Sequence, residues 1–149
     1  MSAPNLAAAV ANRCAAGIRL AGQLLVYPAV DLASESRSYS EFGTGFGITW
    51  DAVRFLISAY VPDPAMRTDP RASPLHCASL VGVAPALVLL AGCDVLRDEG
   101  RAYAARLKAA GVDTTLCEVR GTIHGFFTFG GFREARISAE AAAAWLAAC

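Results

Sequence analysis

An uncharged apolar stretch in the middle of the chain limits the possible folds more than any other feature. Residues 86–93 read ALVLLAGC and run directly into Asp94. Continuous apolar runs of this length are typical of strands buried on both faces, as the strands of a parallel sheet are. Ligands and catalytic groups gather beyond the carboxyl ends of such strands. Asp94 therefore occupies a position at which chemistry is expected.

Helical and strand-like patterns alternate along the chain. The alternation predicts a single α/β domain over residues 1–149, with three α/β/α layers and a mostly parallel sheet. Three strands are few for such a sheet, and the first helix has no strand before it, so the fold is expected to lack its N-terminal strands. The predicted strands are Gly22–Val26, Ala86–Ala91 and Thr114–Val119. The predicted helices are Asn5–Ala16, a segment between the N-cap Thr49 and Pro62, Asp98–Ala110 and Glu134–Ala148.

Apolar spacing assigns one face to each predicted helix. The polar stretches around the second helix, residues 31–48 and 63–85, are interpreted as loops in which Asp31 and Glu35 are solvated. Asp98 and Glu99 are expected to cap the third helix, which leaves Asp94 free for another role. The predicted faces, in chain order, are Leu6, Val10 and Cys14; Val53, Leu56, Ile57 and Tyr60; Tyr103, Leu107 and Ala110; and Ile137, Ala141, Ala144, Trp145 and Ala148.

The balance of charge and hydrophobicity argues against several classes of partner. The 13 basic and 13 acidic residues cancel without forming a basic stripe, so neither nucleic-acid nor anionic-membrane binding is expected. No apolar stretch is long enough to span a bilayer. The hydrophobic share of 55% indicates strands buried on both faces, a covering partner, or both.

The cysteine and histidine content argues against a disulfide frame and a metal centre. Five scattered cysteines without a Cys-x-x-Cys pair predict reduced core thiols and a cytoplasmic location. The chain has only two histidines, and of these His76 is interpreted as structural. The glycine-rich residues 43–47 lack the spacing of a dinucleotide or phosphate loop and are predicted to be flexible. No cofactor is therefore expected.

A histidine follows the last predicted strand, as Asp94 follows the central one. His124 lies between Gly121 and Gly125, with Phe126 and Phe127 placed to bury beside it. The ends of adjacent strands lie about 5 Å apart, so short loops could join the carboxylate to the imidazole. The alternative is that a loop histidine and a turn aspartate stand there by coincidence. As a pair, however, they match the acid and base of a serine-hydrolase triad.

Four segments together resemble the C-terminal half of the α/β-hydrolase fold, and more narrowly the hormone-sensitive-lipase-like carboxylesterases. The last two segments are specific in combination, and the order of all four agrees with that family across nearly the whole chain. The segments are Tyr27-Pro28-Ala29-Val30-Asp31-Leu32, Asp69-Pro70-Arg71-Ala72-Ser73-Pro74-Leu75, Asp94-Val95-Leu96-Arg97-Asp98-Glu99-Gly100 and Gly121-Thr122-Ile123-His124-Gly125-Phe126.

The resemblance implies a carboxylic ester hydrolase that acts on small acyl esters without a cofactor. It implies that Asp94 is the triad acid and His124 the general base, in the chain order Ser, Asp, His. It also implies that residues 31–60 help to shape the substrate pocket. A proline is common at the position of Val95, and its replacement implies a looser loop around the acid.

The nucleophile elbow Gly-x-Ser-x-Gly and the His-Gly-Gly oxyanion motif are missing from this sequence. The opening residues resemble the end of that elbow, so Ser2 could be a relic of the nucleophile. No strand precedes it, and it is interpreted as an ordinary N-terminal serine. Loss of even one oxyanion donor slows such enzymes by about 10²–10³-fold, so the isolated chain is expected to be nearly inactive.

Three hypotheses remain open at this point. The chain is a portion of a serine ester hydrolase, or a non-catalytic hydrolase half that pairs with itself or with a missing N-terminal half. The third possibility is a small flavodoxin-like binding domain.

Overall fold

The structure, a computed structural model, describes residues 3–14 and 20–149. The strands β1, β2 and β3 alternate with helices α1 to α5, and three short 3₁₀ turns lie between them. The strands are β1 Gln23–Val26, β2 Ala86–Cys93 and β3 Thr114–Ile123. The helices are α1 Ala3–Cys14, α2 Arg37–Phe42, α3 Trp50–Tyr60, α4 Arg97–Ala109 and α5 Arg133–Ala147.

The three strands form one parallel sheet in the order β1-β2-β3. Gln23 pairs with Ala86, and Ala86 pairs with Thr114 on its other side. The apolar run is therefore the central strand, and residues 86–91 are all buried. This confirms the predicted parallel sheet and explains why the central stretch carries no charge.

Helices cover both faces of the sheet, which confirms the three-layer α/β/α architecture. Leu25, Val88 and Leu90 pack in one core with Ala8 of α1 and Tyr103 of α4. The alternate residues of the sheet pack on the opposite face against α5. That second core contains Leu87, Leu89 and Ala142, with Leu24 and Trp145 partly buried against it.

The buried faces of α1 and α5 differ from the predicted ones. Leu6 and Val10 are 59% and 46% exposed, while the buried positions of α1 are Asn5, Ala8, Ala9 and Ala11. In α5 the buried positions are Ala135, Ser138 and Ala142, with Trp145 partly buried, whereas Ile137, Ala141, Ala144 and Ala148 are exposed. Small side chains hold most of the buried positions in both helices, so the spacing of Leu6, Val10 and Ile137 selects the wrong face, although Trp145 packs against the sheet as predicted. Ala15, Ala16 and Gly17, at the predicted end of α1, lie outside the described residues.

The segment between β1 and β2 also departs from the prediction. Residues 31–48 were expected to be a loop, yet they contain α2. The predicted cap of α3 is confirmed, since the Thr49 hydroxyl accepts a hydrogen bond from the Ala52 N–H at 3.2 Å. Of the four residues predicted for its buried face, Val53 and Ile57 are buried, whereas Leu56 and Tyr60 are about two-fifths exposed. Within the described part of the chain, no helix is both long and apolar enough to cross a bilayer.

Candidate active site

Asp94 and His124 are in direct contact beyond the carboxyl ends of β2 and β3. The Nδ1 atom of His124 lies 2.8 Å from Oδ2 of Asp94. The aspartate side chain is 1% exposed and that of the histidine 18%. Among residues 3–14 and 20–149, the other ring nitrogen of His124, Nε2, has no hydrogen-bond partner. The pair therefore combines a buried carboxylate with an imidazole whose second nitrogen is available to a reacting group.

A bulge between β2 and β3 brings the histidine to the aspartate. Ala91 pairs with Val119, but the next pair is Cys93 with Ile123, so Gly92 lies opposite three residues of β3. A side chain on Gly92 would come within 3.1 Å of the β3 backbone, which explains the glycine there. Gly121 adopts a φ of 72°, which glycine tolerates best. Such bulges redirect side chains near active sites, and here β3 continues past its predicted end to deliver His124.

Hydrogen bonds and packing hold the loop around Asp94. The Leu96 N–H donates to Oδ1 of Asp94 at 3.0 Å, which leaves Oδ2 for His124. Val95 is fully buried, and the Ser38 hydroxyl donates to its carbonyl at 2.6 Å. Packing and hydrogen bonds thus hold the loop at the position where a proline is common.

The neighbouring acids were wrongly expected to cap α4. The cap of that helix receives no side-chain hydrogen bond. Asp98 instead accepts from the Ser38 N–H and pairs with Arg97. Glu99 points into the loop after β1. Asp94 itself stabilises the turn before α4, because its Oδ1 accepts the Leu96 N–H while its Oδ2 binds His124.

Two further segments approach His124. The Tyr27 ring, at the end of β1, has its centroid 4.5 Å from that of the imidazole. A side chain on Gly47 would lie 3.7 Å from the His124 carbonyl oxygen. The glycine-rich loop 43–47 thus packs beside the pair. This position fits the pocket-shaping role implied for residues 31–60.

A buried polar cluster fixes the loop after β1. The Asp31 carboxylate is buried and lies 2.9 Å from Nε2 of His76, so the expectation that Asp31 is solvated is wrong. Burial opposes ionisation of Asp31, but hydrogen bonds from Ser34, His76 and the Ala33 N–H outweigh it and lower its pKa. The structural role predicted for His76 agrees with this contact. Glu35 is exposed, as expected.

Glu99 ties α4 to the same loop. Its Oε1 atom accepts from the Val30 N–H at 2.7 Å and from the Asp31 N–H at 3.2 Å, and its Oε2 accepts from the Tyr39 hydroxyl at 3.0 Å. Burial raises the pKa of Glu99 to about 8, and the nearby Asp31 charge adds to this effect, while the three hydrogen bonds partly offset it. Since the donors lie on a distant segment, sequence spacing alone could not reveal this anchor.

We expect replacement of Glu99 by glutamine to flatten the pH dependence of folding. The folded pKa of about 8 exceeds the ordinary 4.5, so stability is fully present below 4.5 and falls as the pH rises towards 8. The slope from this group approaches about 1.4 kcal/mol per pH unit. Urea unfolding of the wild type and Glu99→Gln across that window measures it, with the exposed Glu140→Gln as control. Equal slopes in wild type and Glu99→Gln would contradict the assignment.

An apolar cavity of about 510 Å³ lies along the end of β3. Its walls include neither Asp94 nor His124, so it adjoins the pair without containing it. The lining residues are Arg120, Gly121, Thr122, Ile123, Phe126, Phe129, Phe132 and Glu134.

Comparison with known proteins agrees with this geometry. A family model described as the alpha/beta hydrolase fold matches residues 4–128. The chain belongs to the α/β-hydrolase fold family. This confirms the resemblance to the hormone-sensitive-lipase-like carboxylesterases.

Individual relatives of this α/β-hydrolase chain are ester hydrolases. An ethyl acetate hydrolase of Pseudomonas putida is 37% identical over 133 residues, covering 87% of this chain and 42% of the relative. The carboxylic ester hydrolase LipN of Mycobacterium tuberculosis is 44% identical over 117 residues, covering 73% of this chain and 30% of the relative. The chain thus spans less than half the length of either protein.

A solved structure extends the likeness to three dimensions. A mutant of an α/β-hydrolase enzyme from the metagenome of Lake Arreo, Spain, superimposes with a TM-score of 0.89 at 42% identity. The match covers 97% of this α/β-hydrolase chain and 47% of the solved one. The fold described above is therefore one portion of the larger hydrolase architecture.

Proposed function

We propose that this chain supplies the acid and the base of a serine ester hydrolase. The observation that carries the proposal is the 2.8 Å contact between Nδ1 of His124 and Oδ2 of Asp94. The proposed substrates are small acyl esters, and no cofactor takes part. The ester-hydrolysing relatives support the reaction class.

In the proposed reaction, Nε2 of His124 takes the proton from a serine hydroxyl as that oxygen attacks the ester carbonyl. The C–O bond to the alcohol then breaks, and the imidazolium returns its proton to the leaving alkoxide. Water, deprotonated by the same nitrogen, attacks the acyl-serine. The bond between the acyl carbon and the serine oxygen then breaks, the imidazolium returns its proton to that oxygen, and the carboxylic acid is released. Asp94 keeps the proton of the neutral imidazole on Nδ1 and stabilises the imidazolium.

The serine and the oxyanion donors come, in this proposal, from a polypeptide segment that carries the elbow motif. Ser2 lies outside the described residues and is not assigned this role. The sequence of the chain holds neither elbow nor oxyanion motif. The proposed location is the cytoplasm, and neither a nucleic acid nor a membrane is proposed as a partner.

A chimera tests the proposal. This chain replaces the matching segment of the Pseudomonas putida ethyl acetate hydrolase, and hydrolysis of a chromogenic acetate ester is measured. We expect activity that disappears in His124→Gln, because the base is lost, and that persists in His76→Gln, which changes the other histidine. Circular dichroism checks that both variants fold. A folded chimera without hydrolysis, or hydrolysis that survives His124→Gln, would contradict the proposal.

A second candidate function, assembly without catalysis, is favoured by the edge of the sheet. Within the described strands β1 pairs only with β2, and Leu6 and Val10 are exposed on the adjacent α1. Open strand edges invite pairing. In this candidate the chain pairs with itself or with a hydrolase N-terminal half. Size-exclusion chromatography with and without such a half tests it, and a monomer in both samples would count against it.

A further inference from the structure

Tyr27 has an unusual backbone conformation at the carboxyl end of β1. Its φ is 38°, and it is the sole non-glycine residue with positive φ in the described segments 3–14 and 20–149. Bulky side chains rarely adopt this region, and residues held there cluster at functional sites. Each of the other positive-φ positions in those segments carries a glycine. The surrounding structure must therefore hold Tyr27 in place.

Contacts on both sides of Tyr27 impose this conformation. Its N–H donates to the Leu89 carbonyl at 2.6 Å, which continues the β1–β2 ladder by one residue. Pro28 follows and is fully buried. Beyond it, the Asn5 side chain donates to the Ala29 carbonyl at 2.7 Å. The chain is thus anchored immediately before and after the unusual residue.

The ring of Tyr27 is directed at the catalytic pair as a result. It lies 4.5 Å from the imidazole of His124 with the planes tilted by 52°. The Phe126 ring supports it from another side at 6.0 Å in an edge arrangement. Burial raises the pKa of the Tyr27 phenol, and the Asp94 charge raises it further. Tyr27 therefore contacts the imidazole that is bonded to Asp94.

We propose that Tyr27 is a positioning residue that holds the His124 imidazole with Nδ1 on Asp94 and Nε2 free for the nucleophile. The inference rests on the proposed function, since positioning matters because His124 acts as the base. The two constraints act together: the Tyr27 ring restricts rotation about the side-chain bonds and so keeps Nδ1 against Asp94, and the Asp94 hydrogen bond then selects the Nδ1–H tautomer. A tyrosine that merely fills the core formed by Ala91, Phe126 and Ala135 would leave the tautomer unchanged when removed.

Glycine is the informative replacement for Tyr27. Tyr27→Gly removes the ring and is compatible with the positive φ, so the backbone need not rearrange. Tyr27→Phe keeps the ring and removes only the hydroxyl. Tyr27→Asn is a second ring-removing variant, because asparagine also tolerates this conformation. Phe127→Leu is the matched control, since it alters a partly buried aromatic residue beside the same turn.

Nitrogen-15 NMR of the histidine rings measures the effect on the chain as it is. With only two histidines, the signals of His124 and His76 are separable, and His76 serves as an internal reference. At about pH 8, where an ordinary imidazole is neutral, the ring shifts report which nitrogen carries the proton. We expect a single Nδ1–H form of His124 in wild type, Tyr27→Phe and Phe127→Leu. We expect mixed tautomers in Tyr27→Gly and Tyr27→Asn, with His76 unchanged.

Asp94→Asn separates this inference from the proposed function. If Asp94→Asn changes the His124 tautomer but folded Tyr27→Gly and Tyr27→Asn do not, Tyr27 is not a positioning residue and the catalytic pair stands. If Asp94→Asn has no effect either, the pair is not coupled and the proposed function loses its support. In the active chimera, Tyr27→Gly should lower kcat by about 10²-fold at unchanged KM, with Tyr27→Phe close to wild type. A change in KM alone would overturn the inference.

Discussion

Replacement of Asp94 by asparagine is expected to lower kcat of the chimeric esterase by about 10⁴-fold, as loss of the triad acid does in serine hydrolases. The asparagine can still accept the Leu96 N–H through its oxygen, so the turn is retained. Its amide nitrogen then faces Nδ1 of His124 and donates to it. The imidazole proton is forced onto Nε2, which can no longer accept the serine proton.

Steady-state hydrolysis of a chromogenic ester measures this loss. Asp113→Asn is the matched control, because Asp113 is exposed and lies at the other end of β3, where its carbonyl rather than its carboxylate binds Ala86. We expect that variant to keep activity within about twofold, as a surface change usually does. If folded Asp94→Asn retained more than about a tenth of the activity, the triad assignment would be wrong.

Replacement of Tyr103 by alanine is expected to destabilise the fold by about 3–5 kcal/mol, the usual effect of truncating a buried aromatic residue. Tyr103 is fully buried between α4, α1 and the sheet, and its hydroxyl donates to Oδ1 of Asn12 at 2.8 Å. Domains of this size are stable by about 5–15 kcal/mol, so the change removes a large share of the total.

Urea unfolding monitored by circular dichroism measures the loss in Tyr103→Ala. Tyr103→Phe isolates the hydroxyl, and we expect it to cost about 1 kcal/mol, because it removes one hydrogen bond and leaves the packing intact. A Tyr103→Ala midpoint equal to that of Tyr103→Phe would show that the ring does not fill the core as described.

The parallel sheet and the positions of Asp94 and His124 at the ends of its strands could be predicted because they depend on local features. The run over residues 86–93 is apolar at every position, which only a strand buried on both faces requires, and Asp94 ends it. Gly121 and Gly125 marked the turn around His124 because their positive φ favours glycine. These signals lie within a few residues of the features they predict.

The structure differs from the predictions where distant segments decide which residues are buried. Spacing favoured Leu6 and Ile137 for buried faces, yet the sheet accepts the alanine faces of α1 and α5. Asp31 and Glu99 were interpreted as a solvated carboxylate and a cap, whereas the fold joins them in one buried cluster. The spacing of residues within one helix or loop does not show which distant residues will pack against it.

Sequence alone determined that this chain forms a parallel α/β sheet and that an aspartate and a histidine end its adjacent strands. Only the tertiary structure decided that a bulge brings Nδ1 of His124 to 2.8 Å from Asp94, and that Tyr27 contacts the imidazole. The physical reason is how far apart in the sequence the interacting residues lie. Strand burial leaves a local pattern of apolar residues, whereas the position of a side chain at the end of a strand is set by backbone contacts between segments far apart in the chain.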